Sequence, residues 1–238
     1  LLTIKLKLQI KEKQMKHKMH NEDVSDLLQS SEQLDYSLSS ITHNKFEFNL
    51  DEDIKEPSYY RNLIEVLNNA TEQDLVVLNI NSGGGNLDSA ISIIDALRNT
   101  RANTLAWVSG SAYSAAGIIA LSCQNLEVGE FATLMCHNSQ YGLGGYTTDI
   151  KDRAVFEHKM ISKIMHSVYK HFLSVDEVEA VLSNKTIWMD ADEIVERFTK
   201  MQEKLQDEFE AELEAFQKEQ EDALDYGVKP KKKKILPS

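Results

Sequence analysis

The feature that most constrains the fold is a buried strand that ends in three consecutive glycines. Residues 75–80 (LVVLNI) form a nearly continuous apolar run, which is typical of a strand with both faces covered. The turn at 81–85 (NSGGG) follows it, and helical periodicity begins at Leu87. A second strand, over residues 104–108, leads through small residues to a helix over 115–122. Repeated strand–turn–helix units predict an α/β fold with a mostly parallel sheet.

Weaker patterns predict the remaining strands. Strict alternation of apolar and polar residues predicts strands over 2–10 and 45–50. Short apolar runs predict two further strands, over 126–128 and 133–136. The polar residues between the first two strands, 11–45, are interpreted as a linker or a weak helix.

Helical periodicity and capping residues predict the helices and the division of the chain. Pro57 opens a helix over 58–70, and further helices are predicted over 87–98 and 148–172 and after the capping residues Ser174 and Asp190. The last helix is charged, runs to about residue 224 and precedes a basic tail. We therefore predict three parts: an N-terminal extension of strand plus polar linker at 1–45, a central domain at 46–198, and a charged helical arm with its tail at 199–238.

Charge and composition exclude several classes of function. The chain has 238 residues and a formal net charge of −12, so the phosphates of a nucleic acid would repel it. No apolar run reaches the roughly 18 residues that a membrane span needs. Cys123 and Cys136 lie in apolar runs without metal-ligand spacing, and we interpret them as buried reduced thiols of a cytoplasmic protein. The sequence thus predicts no metal, no cofactor, no nucleic acid and no membrane partner.

Ser114 is a candidate nucleophile because of the segment in which it lies. It follows a buried strand and precedes a helix rich in Ala and Gly, so a carbonyl group can approach it closely. The N-terminus of that helix offers unpaired N–H groups to a developing oxyanion. The alternative is that Ser114 only caps the helix.

Two other segments carry weaker signals when each is taken alone. The glycine turn can bring backbone amides against a ligand, but it matches neither a P-loop nor the dinucleotide fingerprint. His137 ends a short apolar strand, just before a glycine-rich stretch, where a histidine can also be a structural or surface residue.

Taken together, these segments resemble the proteolytic subunit of the Clp protease, ClpP. The family's Ile-Asn-Ser-Pro-Gly-Gly is similar to residues 80–85 (INSGGG), with glycine in place of proline. Its Gly-x-x-x-Ser motif is matched at 110–117 (GSAYSAAG), and its Met-Ile-His-Gln-Pro at 135–139 (MCHNS). Its Leu-Gly-Gly-Tyr and Thr-Asp-Ile pieces recur at 143–146 and 148–150. The resemblance covers about residues 45–198.

The resemblance implies a serine endopeptidase with the βαβ spiral that ClpP and the crotonases share. Ser114 would attack the peptide carbonyl and His137 would take its proton, while N–H groups of Gly85 and Ala115 hold the oxyanion. The peptide or unfolded protein substrate would bind as an added strand, and the implied substrate-binding residues are Gly84, Asn86, Leu87 and Asn138. The helix at 148–172 would be a protruding handle.

The resemblance also implies partners. In the family, handles of two heptameric rings interlock to close a chamber, so we expect a homo-oligomer, either a heptameric ring or a double ring. The handle's apolar residues favour the same expectation, although packing within one chain is the alternative. An ATP-dependent unfoldase is a further implied partner. Phage-encoded relatives carry similar terminal tails, which makes a phage-type member an expectation.

The family's third catalytic residue, an Asp, has no counterpart at the expected place. Ungapped alignment from His137 puts Thr186 there, and a threonine hydroxyl can orient the imidazole but cannot stabilise its charge. Three nearby residues, Asn184, Asp190 and Asp192, are alternatives, and Lys185 would give a Ser–Lys arrangement. Reduced activity is therefore expected as one outcome.

Two other functions remain open at this point. One is a catalytically silent ring subunit or a phage-type assembly scaffold, which the missing Asp and the long charged helix favour. The other is an acyl-CoA enzyme of the crotonase type, which uses glycine-turn amides as an oxyanion hole but needs no Ser–His pair.

Overall fold

The computed structural model describes residues 43–140, 142 and 144–225, with the backbone alone for 219–225. Its six strands are β1 (Lys45–Leu50), β2 (Leu75–Ser82), β3 (Asn103–Tyr113), β4 (Asn125–Val128), β5 (Thr133–Cys136) and β6 (Ile187–Met189). Its helices are α1 (Arg61–Asn69), α2 (Leu87–Asn99), α3 (Ala115–Ser122), α4 (Thr147–Val168), α5 (Val175–Leu182) and α6 (Ala191–Asp225), with a 3-10 turn at Pro57–Tyr60. The strand predicted at 2–10, most of the linker and the basic tail lie outside the described residues.

The six strands form one sheet in the order β1-β2-β3-β5-β6, and β4 pairs with β3 beside β5. Every pairing is parallel except that of β5 with β6. Helices connect the parallel strands, as α2 does between β2 and β3. This architecture confirms the predicted α/β class with a mostly parallel sheet.

The core lies between the sheet and the helices that connect its strands. Helix α3 is short and apolar up to its last residue, Ser122, and its residues from Ala115 to Leu121 are all buried. Helix α2 buries one face, whose largest residues are Ile93 and Leu97. Because α3 follows directly on β3, the buried helix fixes the end of the central strand and hence the position of Ser114.

Strand β3 is longer than predicted, because two different strands pair along its one edge. Residues 105–108 pair with β4, and residues 111–113 pair with β5. The sequence predicts that the strand ends at residue 108, since Ser109, Gly110 and Ser111 are residue types that favour turns. Pairing with β5 on one side and a second contact with β2, Ser82 with Ala112, keeps this stretch extended instead.

The predicted handle helix ends four residues early. Helix α4 stops at Val168, and His171 takes a left-handed φ of 65°. The resulting turn buries both Tyr169 and Phe172, of which only 1% and 2% of the surface is exposed. The prediction of a helix to residue 172 was wrong there, since apolar residues at helical spacing can also be buried by a tight turn.

Helix α6 crosses the domain boundary predicted after residue 198 without a break. Its first turns are anchored in the core by Ile194, Phe198 and Met201. Further along, Glu208 forms an ion pair with Lys170 and a hydrogen bond with His171, both in the turn after α4. The division into extension, domain and arm stays a prediction. In the described part of the chain, no helix has an apolar stretch long enough to cross a membrane.

Candidate active site

The backbone at Ser114 adopts a conformation that is rare for residues other than glycine. The residue joins β3 to α3 with φ 53° and ψ −120°, in a region that is strained for anything but glycine. Its N–H donates to the carbonyl of Met135 on β5 at 2.9 Å, and its own carbonyl accepts from Ile118 at 3.1 Å. Although Ser114 occupies the N-cap position of α3, its side chain makes no capping hydrogen bond. The hydroxyl is therefore free to interact outside the helix.

The hydroxyl of Ser114 meets the imidazole of His137. The Nε2 atom of His137, directly after β5, lies 2.7 Å from Ser114 Oγ. The pairing of β3 with β5 brings the two residues together, although 23 positions separate them in the sequence. A hydrogen bond of this length allows the imidazole to accept the hydroxyl proton as a general base.

The glycine turn packs against Ser114 so closely that it has no room for side chains. Gly84 and Gly85 have φ angles of 96° and 144°, which favour glycine. A Cβ on Gly84 would lie 2.7 Å from the carbonyl oxygen of Tyr113 and 2.8 Å from the Cβ of Ser114. A Cβ on Gly85 would lie 2.5 Å from the carbonyl oxygen of Ile54. The glycine turn is therefore packed between Tyr113 and Ser114 on one side and the segment that contains Ile54 on the other.

The resemblance predicts the N–H groups of Gly85 and Ala115 as donors to an oxyanion. The N–H of Ile54 donates to the carbonyl of Gly84, and the N–H of Asn86 donates to the carbonyl of Ile54, both at 2.8 Å. Since a trans peptide unit turns its C=O and N–H to opposite sides, the N–H of Gly85 points away from Ile54. Ala115 is the first residue of α3, where N–H groups have no partner within the helix. The role of these two groups as oxyanion donors stays a prediction.

A cavity of about 540 Å³ opens beside the Ser–His pair. Its lining includes apolar side chains as well as charged and polar ones. The predicted substrate-binding residues Asn86 and Leu87 line the cavity, as does Gly85. Gly84, the other predicted residue of this segment, is buried and does not line it. Other lining residues include Ile118, Met135, Ile161, Met165, Tyr169, Arg153 and Glu157. The arrangement can hold an extended peptide with an apolar side chain next to Ser114.

The side-chain amide of Asn138, the remaining predicted substrate-binding residue, is engaged within the protein. Its Nδ2 atom donates to the carbonyl of Leu182 and to Oδ1 of Asn184, both at 3.0 Å. Asn184 itself has a left-handed φ of 70° just after α5. These contacts tie the end of β5 to the end of α5, next to His137.

Thr186 lies opposite His137 by strand register. Antiparallel pairing matches Met135 with Trp188 and Cys136 with Ile187, so the next pair along is His137 with Thr186. The Thr186 side chain is exposed. Among the residues that the structure describes, none is hydrogen-bonded to the second ring nitrogen of His137, Nδ1. The role of Thr186 stays a prediction.

The alternative orienting residues occupy other positions. Asp190 accepts from the N–H of Glu193 at 3.0 Å and so caps α6. It lies four residues further along the hairpin than Thr186, which corresponds to about 13 Å along a strand. Asp192 lies exposed in the first turn of α6, and Lys185 is exposed in the turn before β6.

The two cysteines are buried and take no part in the cavity. Burial raises the pKa of the Cys136 thiol, and likewise that of Cys123, to about 12. Both thiols are therefore protonated at neutral pH and are poor nucleophiles. Across the described residues, no group of three or more His, Cys, Asp or Glu side chains is arranged to hold a metal ion.

Sequence reasoning missed the segment at residues 52–56 that holds the glycine turn. The segment is polar and mostly exposed, which is typical of a surface loop. Its contacts are with residues about 30 positions away, and no local pattern signals them. The parallel pairing of β1 with β2 was the only indirect signal, since it brings the ends of both strands to the same edge.

Comparison with known families agrees with this geometry. The model of the Clp protease family matches residues 23–197. The chain belongs to the Clp protease family. As a member of this family it is a ClpP-like peptidase, which belongs to the serine peptidases. The match begins at residue 23, whereas the resemblance described above began at about residue 45. No curated protein was found to match the chain. The phage-type subgroup stays a prediction.

Proposed function

We propose that this Clp protease family member is an endopeptidase that uses Ser114 as its nucleophile and His137 as its general base. The observation that carries the proposal is the 2.7 Å hydrogen bond between Ser114 Oγ and His137 Nε2. The substrate class that we propose is a peptide or an unfolded protein, bound in extended form along residues 85–87 at the cavity.

The reaction follows from the atoms around Ser114. As Oγ bonds to the peptide carbonyl carbon, its proton passes to Nε2 of His137, and the carbonyl oxygen becomes an oxyanion. The N–H groups of Gly85 and Ala115 stabilise that oxygen. The imidazolium then gives its proton to the leaving amine as the C–N bond breaks, and a water deprotonated by His137 releases the acyl group. No cofactor enters these steps.

The experiment that tests the proposal is cleavage of a fluorogenic peptide by the wild type and two variants, Ser114→Ala and His137→Ala. We expect both substitutions to lower kcat by at least about 1,000-fold, because either one removes the proton-transfer pair. The matched controls are Ser109→Ala and His158→Ala, which change exposed residues outside the cavity and should keep wild-type turnover. Equal turnover in all five proteins would contradict the mechanism.

A second candidate function is a ring subunit or assembly scaffold with little or no activity. It is favoured by Thr186, which strand register places opposite His137, because a threonine hydroxyl cannot stabilise the imidazolium by its charge. Covalent labelling by a fluorophosphonate distinguishes the candidates. An active peptidase reacts at Ser114 in the wild type and not in His137→Ala, whereas a silent subunit does not react. An acyl-CoA enzyme of the crotonase type needs no such reactive serine.

The assembly belongs to the same proposal. We propose that copies of the chain form a heptameric ring or double ring that encloses the cavity openings, with an ATP-dependent unfoldase as the partner that supplies unfolded protein. The support within the chain is the apolar surface of the first half of α4, where Val155 and Phe156 are 66% and 60% exposed.

A further inference from the structure

We infer that three buried hydroxyl groups outside the catalytic pair, those of Tyr60, Ser82 and Ser89, position the oxyanion donor of this peptidase. They act through a bracing segment, residues 52–55, which holds the glycine turn from behind. The inference rests on the proposed function, since it concerns the same reaction. None of the three residues contacts the substrate in this scheme, so all three are positioning residues.

The bracing segment needs outside support because it has little structure of its own. It forms neither helix nor strand, apart from the single bridge between Ile54 and Gly85. Ile54 is buried, with 3% of its surface exposed, whereas the residues around it are exposed. Yet the backbone of Ile54 makes two hydrogen bonds with the turn: its N–H donates to Gly84 and its carbonyl accepts from Asn86.

The three hydroxyls fix the bracing segment at both of its ends. Ser82 donates to the carbonyl of Glu52 at 2.6 Å, and Ser89 donates to the carbonyl of Lys55 at the same distance. The hydroxyl oxygen of Tyr60 accepts from the N–H of Lys55 at 3.0 Å. Only 2%, 0% and 6% of the surface of Ser82, Ser89 and Tyr60 is exposed, so water is unable to replace these contacts easily.

Ser82 also acts on the turn directly. Its oxygen accepts from the N–H of Gly84 at 3.1 Å while its proton goes to Glu52. Gly84 is therefore held at both its nitrogen, by Ser82, and its carbonyl oxygen, by Ile54. The N–H of Gly85 belongs to the same planar peptide unit as the carbonyl of Gly84, so the bond from Ile54 to that carbonyl fixes the direction of the N–H. An oxyanion hole needs such fixed donors, because a donor that must reorient during the reaction stabilises the oxyanion less.

The first test is Ser82→Ala, with Ser92→Ala as its matched control. Ser92 lies on the exposed side of α2, where its hydroxyl donates to the carbonyl of Asp88. We expect Ser82→Ala to lower kcat by roughly tenfold or more, less than the about 100-fold loss of a whole oxyanion donor. The KM should change by no more than about threefold, because the lost stabilisation arises only in the transition state. Rates are expressed per active site, counted by fluorophosphonate titration, so that misfolded protein does not contribute.

A tetrahedral inhibitor separates positioning from general stability. A peptide boronate forms an adduct whose oxygen occupies the oxyanion position, so its Kd should rise by the same factor by which kcat falls. A purely structural role would lower the melting temperature and the titrated fraction, but would leave kcat per site and the boronate Kd unchanged.

The second test is Tyr60→Phe, which removes one hydroxyl without changing the shape of the core. Its control is Tyr59→Phe, since the neighbouring ring is 68% exposed. We expect the same split between kcat and KM in Tyr60→Phe, with a loss of about threefold or more, and no change in Tyr59→Phe. This variant decides the matter if Ser82→Ala does not fold. Values of kcat per site within twofold of wild type in Tyr60→Phe, and in Ser82→Ala where it folds, would overturn the inference. A wild type that neither cleaves peptide nor labels at Ser114 would overturn the proposed function itself.

Discussion

At the scale of single residues, the site depends on backbone angles that only a few residues tolerate. Ser114 has a positive φ without being glycine, and Gly84, the first of two consecutive glycines with positive φ, packs against it. Such strain persists only where neighbouring contacts hold it in place, here the hydrogen bond from Ser114 to Met135 and the packing of Gly84. This conformation leaves the Ser114 hydroxyl without a hydrogen bond to its own helix and directs it to the imidazole of His137.

The first prediction concerns the residue opposite His137. We expect Thr186→Asp to raise kcat/KM by about tenfold, because a carboxylate beside Nδ1 would orient the ring and stabilise the imidazolium. Strand register brings position 186 level with His137, which makes the substitution geometrically reasonable. The measurement is peptide cleavage between pH 6 and 9, and Thr199→Asp, on an exposed turn of α6, is the control. An unchanged rate would count against an orienting site at 186.

How far the site could be predicted depends on the residue. The resemblance to the ClpP motifs singled out Ser114 and His137 as a pair, whereas the segment around each residue carried only a weak signal by itself. They did not reveal that the amide of Asn138 is bonded to Leu182 and Asn184, since that contact spans more than 40 positions. The hydroxyls of Ser82 and Ser89 were missed for the same reason: serines are common in turns and helix starts whether or not they hold a distant segment.

At the scale of elements, one charged network ties α5 to α6. Arg197 on α6 donates to both carboxylate oxygens of Glu177 on α5, at 2.8 and 3.0 Å, and to Glu193 at 2.9 Å. Glu177 also completes the capping box with Ser174 at the start of α5. The network holds the two helices that flank β6, and with them the hairpin partner of the strand that ends at His137.

The second prediction is a loss of stability in acid that depends on Glu177. Hydrogen bonds from Arg197 lower the pKa of Glu177 from 4.5 to about 2. The group is ionised in both folded and unfolded chains above about pH 4.5, so its contribution is complete there and is lost as the pH falls towards 2. We therefore expect Glu177→Gln to lower the melting temperature by a few degrees at pH 7, with the difference from wild type shrinking below pH 4.5.

The control for this measurement is Asp176→Asn, which neutralises the exposed neighbouring carboxylate. That variant should follow the wild-type dependence of melting temperature on pH. A difference between Glu177→Gln and wild type that stays constant from pH 7 to pH 2.5 would argue against the ion pair as its cause.

The elements themselves were largely predictable where periodicity was long. Strand β1, helix α3 and the capping box at Ser174 match their predictions. Strand β6 was missed because three residues, Ile187 to Met189, are too few to show alternation, and they become a strand only by pairing with β5. The end of α4 was misplaced because burial of Tyr169 and Phe172 needs a turn that helical spacing does not distinguish from a helix.

At the scale of the whole molecule, the middle of α4 has apolar surface that the described residues do not cover. Phe156 and Met160 lie four residues apart on one face of the helix, beside Val155, and all three are exposed, whereas Ile161, Met165 and Val168 are buried. The sequence predicted more apolar residues on this helix than one chain can bury. Those towards its C-terminal end, such as Ile161 and Val168, are buried within the chain.

The third prediction is that this face joins copies of the chain. We expect wild-type protein to sediment as an oligomer, and the double variant Phe156→Glu/Met160→Glu to sediment as a smaller species, because charges would be buried at the contact. Val175→Glu, on an exposed apolar residue of α5, is the control and should leave the mass unchanged. Identical sedimentation of the double variant and wild type would exclude α4 from the contact.

The continuous course of α6 has a consequence for the reach of the chain. Glu208 bonds to the body of the protein, and the helix continues from there to Asp225. At 1.5 Å per residue, this length corresponds to about 25 Å along the helix axis. A fluorophore joined to residue 225 would therefore sit about 25 Å along that axis from the contact between Glu208 and Lys170.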